Sequence, residues 1–200
     1  WRAARPGTHR LTSLDEVTTR VDPALPREGY TLDVSPGGVV VTGGSAAGVF
    51  YGLQTVRQAL PPSALRRART CDEPLTVPCQ FVRDEPRFAW RGVLLDVARH
   101  FMPLPDVLRF IDLMAFHKLN VLHLHLTDDQ GWRIEVPGWP RLTSVGAWRS
   151  CSMLGSSAHG RYDERPHGGF YRVDDLRELV EYAADRHVTV VPEIDLPGHM

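Results

Sequence analysis

Apolar and polar residues alternate through Tyr30-Thr31-Leu32-Asp33-Val34, the pattern of a strand with one buried face. Pro36-Gly37-Gly38 is a turn signal, and Val39-Val40-Val41-Thr42 reads as the returning strand of a hairpin. Gly43-Gly44 leads to Ser45, whose hydroxyl can cap a helix by accepting from a backbone N–H. Beyond it Val49, Phe50, Leu53, Val56 and Leu60 recur near a 3.6-residue period until Pro61-Pro62 ends the helix. The stretch before about Pro26 is less legible and leaves room for another strand and helix. Residues 61–87 are rich in Pro and Arg, have no clear period and read as a connection between two domains.

A different rhythm starts at Phe88. Arg91-Gly92-Val93-Leu94-Leu95-Asp96-Val97 is a buried strand with polar ends. Residues 103–120 form a helix with Val107, Leu108, Ile111, Met114, Ala115 and Leu119 on one stripe, and Pro105 suits its first turn. Residues 121–126 are the next strand. Loop signals fill about 128–170. Residues 173–187 form a second helix with Asp174 and Asp175 at its positive end, and 188–195 a third strand. Strands alternating with helices, without hairpin turns, imply a parallel sheet. The Gly-rich turn of a dinucleotide fold is absent after the first strand, and the polar clusters follow strand C-terminal ends, where a (β/α)8 barrel keeps its active site. The expected architecture is therefore α/β. Residues 1–87 form a small α+β domain plus linker, and 88–200 are the first three βα units of an incomplete (β/α)8 TIM barrel whose other strands lie beyond Met200.

Charge changes this picture little. The 23 basic and 24 acidic residues nearly cancel, which excludes a surface that is one continuous nucleic-acid footprint. No apolar run approaches the roughly 18 residues that cross a bilayer, so no membrane partner is expected. No leader is visible after Trp1. All but one of the basic residues are Arg, Lys118 being the exception, which reads as coding bias. Cys71 and Cys79 are close enough in sequence to pair and leave Cys151 over; no C-x-x-C is present.

Three strand ends carry candidate chemistry. In His123-Leu124-His125-Leu126-Thr127-Asp128-Asp129, the period of two puts His123 and His125 on one face and the leucines on the other. Two inward histidines need hydrogen bonds or a metal; satisfied core histidines and a metal-dependent hydrolase are both open readings, although Thr127 stands where an H-x-H-x-D-H metal motif needs Asp. Of Asp128 and Asp129, one is expected to face the pocket and the other to cap the loop. Glu193, Asp195 and His199 supply two carboxylates and an imidazole at another strand end, with Pro197-Gly198 aiming His199. Arg91, before the first barrel strand, has a planar fork suited to carboxylates or vicinal hydroxyls. Trp132, Trp139 and Trp148 are either sugar-stacking or core residues.

Taken together, these residues resemble family 20 glycoside hydrolases, the β-N-acetylhexosaminidases. The resemblance rests on Trp90-Arg91-Gly92 followed by Leu95-Asp96-Val97-Ala98-Arg99-His100-Phe101, then His117-Lys118-Leu119-Asn120, the run from His123 to Trp132, Gly168-Gly169-Phe170-Tyr171, and Val191 to His199. Upstream, Ser45 to Thr55 is similar to the small domain that precedes the barrel in that family. The resemblance implies an exo-acting enzyme that removes terminal N-acetylglucosamine or N-acetylgalactosamine from chitooligosaccharides or glycans. Its mechanism is substrate-assisted and retaining: the 2-acetamido oxygen attacks the anomeric carbon while a Glu protonates the leaving oxygen. It also implies no metal or organic cofactor. By the same resemblance Arg91 would bind sugar hydroxyls, His199 would couple to Asp129, and Asp128, His125, Glu193 and Asp195 would support the site. The family's Asp-Glu pair follows a Gly-Gly; none of the Asp-Glu pairs at 15–16, 72–73, 84–85 and 163–164 does. The pair is expected beyond Met200 and the 200-residue chain is expected to be inactive alone, a sugar-binding relic being the non-enzymatic alternative. An extracytoplasmic setting is expected from the substrate class.

Overall fold

The alternation at 30–42 folds as a hairpin, β3 (Tyr30–Ser35) against β4 (Gly38–Gly43), with Leu32, Val34, Val39 and Val41 buried. Ser45 caps α1 (Ala46–Ala59): its Oγ accepts from Ala47 N at 3.2 Å and donates to Arg27 O at 2.6 Å. The helix lies against the sheet closely enough that a Cβ on Gly52 would come within 2.4 Å of Val41 Cγ1. The early stretch supplies β1 (Arg2–Leu11) and β2 (Thr18–Val21).

The expected connection at 61–87 is corrected by the structure: it contains β5 (Leu75–Asp84), which lies between β1 and β3 in a sheet ordered β1-β5-β3-β4-β2. Proline is disfavoured in a paired strand because it lacks a donor. Here Pro78 lies beyond the stretch of β5 that pairs with β3, and beside the irregularity in β1 between Ala4 and Thr8. In this sheet β2 and β4 run parallel and the other described pairs antiparallel. Cys79 is buried in this core; Cys71, its suggested partner, is outside the described residues, which are 1–66, 68, 74–155 and 160–199 of this computed structural model.

The chain divides into two units, Trp1–Ala89 with Phe116–Lys118, and Trp90–Ala115 with the chain from Leu119 onward. The second is the start of the expected barrel. β6 (Gly92–Asp96), β7 (Val121–Asp128) and β11 (Thr189–Ile194) are parallel in the order β11-β7-β6, linked through α2 (Leu104–Phe116) and α4 (Val173–Ala184). Leu122, Leu124 and Leu126 are fully buried with Ile111, Met114, Leu179 and Ala183, so the helices cover the leucine face of β7. Each such leucine contributes on the order of 2 kcal/mol by leaving water.

Both helices stop short of the expected ends. Lys118 and His187 take left-handed backbone, with φ near +60°, and Leu119 N and Val188 N close back on Met114 O and Ala183 O, both at 2.9 Å. These are C-terminal caps with an apolar residue following the left-handed one. The long loop region is not bare: it holds β8 (Gly131–Trp132) on β7, the single turn α3 (Arg141–Ser144), and the pair β9 (Trp148–Arg149) and β10 (His167–Gly168). No described helix is long and apolar enough to cross a membrane.

Candidate active site

Register sets the first layer. Asp96 is opposite His125 on β7, and His125 opposite Glu193 on β11, so three polar side chains reach the strand ends at one level. His125 Nδ1 lies 2.7 Å from Glu193 Oε1, and Nε2 lies 2.9 Å from Asp128 Oδ2. A carboxylate only accepts, so both ring nitrogens must donate and the geometry selects the imidazolium. Burial opposes that charge, but the bonds to Glu193 and Asp128 win and raise the His125 pKa above its ordinary value. His123 is inward as expected; its Nε2 approaches Glu193 Oε2 to 2.6 Å without the alignment of a hydrogen bond.

Asp128 is the hub. Its side chain is 1% exposed, and each oxygen meets two donors. Oδ1 accepts from His199 Nδ1 at 2.6 Å and Asp129 N at 2.7 Å; Oδ2 faces His125 and Arg99 Nη2, the latter at 2.6 Å. Burial pushes the Asp128 pKa up, but the Asp129 N–H, the two imidazoles and Arg99 outweigh it and hold it below the usual carboxylate value. The expected coupling of His199 to Asp129 is therefore shifted by one residue: Asp129 Oδ2 is 3.2 Å away and mostly exposed. Gly198 permits the approach, since a Cβ there would sit 2.7 Å from Asp129 N. Thr127 Oγ1 fastens the same ends together, accepting from Asp195 N at 2.7 Å and donating to Asp195 O at 3.0 Å.

Arg91 is not brought to this cluster. It precedes Gly92, which pairs with Val121 at the other end of the sheet, and its N–H is held by Asn120 Oδ1 at 2.9 Å. Asp96 is five positions further along, about 16 Å of strand. The arginine at the site is Arg99, which sequence reasoning passed over although it lies inside the polar run after β6. Its guanidinium joins Asp96 Oδ2 at 2.8 Å to Asp128 and is 46% exposed. Burial raises the Asp96 pKa, yet hydrogen bonds from Arg99 leave it lowered overall.

Among the described residues, two triplets offer ligand atoms within 4.8 Å of one another: His125, Glu193 and Asp195, and Asp128, Asp129 and His199. In the first, both nitrogens of His125 are already committed to carboxylates, so it has no lone pair for a metal in this arrangement. Of the tryptophans, Trp139 and Trp148 are exposed, whereas Trp132 is half-buried with Nε1 donating to Ile134 O at 2.6 Å.

A second finding without a sequence signal is the frame beneath the loop 97–101. Arg133 is fully buried, and its five hydrogen bonds all end on main-chain oxygens, those of Val97, Ala98, Ala147 and Gly169. Arg149 Nη1 donates to Arg99 O at 2.8 Å and Gln130 O at 3.3 Å.

Comparison with known proteins adds an independent line. Residues 88–200 match the model of glycosyl hydrolase family 20, catalytic domain, and residues 2–85 that of glycosyl hydrolase family 20, domain 2. A beta-hexosaminidase of Akkermansia muciniphila is 44% identical over 88% of this chain and 33% of its own length. A beta-N-acetylhexosaminidase of Cellulomonas fimi is 45% identical over 92% and 34%. The crystal structure of an exo beta-N-acetylglucosaminidase from Vibrio harveyi, in complex with N-acetylglucosamine, superposes with a TM-score of 0.78 at 34% identity, covering 92% of this chain and 28% of that one. The chain thus spans about a third of the length of these relatives.

Proposed function

The chain belongs to glycosyl hydrolase family 20, and we propose from this that the whole protein is an exo-acting β-N-acetylhexosaminidase. Its substrates would be glycosides with a terminal N-acetylhexosamine, of the kind on which the named relatives act. The observation that carries the reading is the Asp128 hub at the strand ends, within a chain matched along its length by both family models.

In this proposal the chain supplies one wall of the site and the Asp-Glu pair comes from sequence beyond Met200. Asp128 fixes His199 through Nδ1 and leaves its Nε2 edge for the incoming acid. That bond would orient the acid and tune its proton affinity. Glu193, His125 and Asp96 keep the wall's charges balanced, and Arg99 rather than Arg91 turns a half-exposed guanidinium to the cleft, where spare N–H groups can donate to sugar hydroxyls. The 2-acetamido oxygen of the substrate then attacks the anomeric carbon as the glycosidic bond breaks and the leaving oxygen takes the acid's proton, giving an oxazolinium-type intermediate that water opens with retention.

The test is hydrolysis of a chromogenic N-acetylglucosaminide. The whole protein should turn it over and be inhibited by an acetamido-oxazoline analogue; the 200-residue chain should not turn it over. Activity insensitive to the analogue would refute substrate assistance.

A further inference from the structure

We propose that His167 is a positioning residue for this site: its neutral ring holds loop 97–101 so that Arg99 faces the cleft, and acidification releases the hold. The inference rests on the sugar-site reading above for what Arg99 does, but its geometry stands alone.

Among the described residues loop 97–101 pairs with no strand; Val97 N donates to His125 O, and the next main-chain groups are met by side chains. Ala98 N and Arg99 N donate to Asp96 Oδ1, both at 3.0 Å. The carbonyls of Val97 and Ala98 accept from Arg133, and that of Arg99 from Arg149. Phe101 N, two residues past Arg99, donates to His167 Nε2 at 2.9 Å. Because a backbone N–H cannot accept, Nε2 must carry a lone pair, and His167 is neutral with its proton on Nδ1. The ring of His100, next to Arg99, stacks on His167 with centroids 3.9 Å apart and planes 22° apart. His167 thus grips the loop at two successive residues, His100 and Phe101. The β9–β10 pairing sets His167 opposite Arg149, so two holds on this loop come from one two-stranded ribbon.

The groups facing His167 favour the neutral ring. Burial is the largest influence, followed by the charges of His100, Arg149 and Arg133; Asp163 pulls the other way, and the net pKa lies below the ordinary imidazole value. Protonation would turn Nε2 into a donor aimed at the Phe101 N–H and place a further cation beside two guanidiniums. The hydrogen bond would be lost and the loop carrying Arg99 loosened.

The experiment measures kcat and KM of the whole protein on a chromogenic N-acetylglucosaminide from pH 4.5 to 8, for wild type, His167→Gln and His167→Leu. Gln keeps an acceptor near the Nε2 position and does not titrate; Leu has no acceptor. Wild-type KM should rise about fivefold as the pH falls through the His167 ionisation, a loss of the size of one hydrogen bond. H167Q should keep the wild-type KM at pH 7 and flatten its acid rise, and H167L should show the raised KM throughout, with kcat moving less than KM in each. A KM for H167L within a factor of two of wild type, or an unchanged acid rise in H167Q, overturns the inference. The second readout needs no activity: the Phe101 amide resonance should titrate with the His167 ring in wild type and not in H167Q. A still Phe101 amide overturns the inference, whereas an inactive wild type with a titrating amide refutes the sugar-site reading instead.

Discussion

Replacing Asp128 by Asn tests the hub directly. Asp128 and Asn have nearly the same shape, so the change is one of charge and acceptor count. Each Asp128 oxygen meets two donors, His199 Nδ1 and Asp129 N on Oδ1, His125 Nε2 and Arg99 Nη2 on Oδ2. Whichever way the amide turns, its NH2 opposes two of them. His125 is buried and keeps its charge with only Glu193 of its two carboxylate partners left, and removing one member of a buried ion pair costs about 3–5 kcal/mol. Arg99 and His199 are about half exposed and recover water, so the lower end, about 3 kcal/mol, applies. At about 1.4 kcal/mol per factor of ten, hydrogen-exchange protection of the Val97 amide, which donates to His125 O at 3.2 Å, should fall about a hundredfold at pH 7. The sign with pH is fixed as well. The Asp128 pKa is lowered in the folded state, so its contribution is complete above the unfolded value of about 3.9 and fades as the pH falls through the folded one. The gap between wild type and D128N should therefore hold down to about pH 4 and narrow below it. A loss of protection under threefold at pH 7, or a gap that does not change on acidification, refutes the hub.

Three further outcomes are expected. The His125 ring should titrate above its ordinary value in an NMR pH series and fall back in Glu193→Gln; its contribution to stability is complete below the unfolded value of about 6.5 and lost as the pH rises through the folded one. Gly198→Ala puts a methyl 2.7 Å from Asp129 N, so the His199 loop must retreat, and kcat should drop about tenfold or more in the same hydrolysis assay. Gly52→Ala drives a methyl into Val41 and should destabilise the first unit by about 1–3 kcal/mol in urea unfolding.

Some of this structure is legible in the sequence for simple reasons. Ser45 and Pro61 bracket α1, and the leucines of β7 are buried because helices cover them, as the period of two requires. β5 is obscured because Pro78, which cannot donate, argues against a paired strand; its place beyond the β3 pairing and beside the irregularity in β1 explains why that proline is tolerated. At the site, strict alternation would carry the His123–His125 face on to Thr127 and Asp129. The register slips between β7 and β11, with Glu193 opposite His125 but Ile194 opposite Thr127, so Leu126 is an extra residue and parity is broken just before Asp128. No local signal announces that. Arg91 and Arg99 flank the same strand, and the direction of β6 separates them: the one before the strand is at the far end, the one after it at the site. Arg133 and Arg149 do their work on carbonyls contributed by distant loops, which no residue type advertises.

Arg133 also sets how this scaffold responds to its medium. Its hydrogen bonds end on peptide oxygens in a place solvent does not reach, so dissolved ions have no opposing carboxylate there to compete for. Surface pairs such as Arg177 with Asp174 weaken as the Debye length shrinks to about 3 Å in molar salt. The frame under Arg99 is built from dipoles instead, and a brine that dissolves the rim of ion pairs should leave it standing.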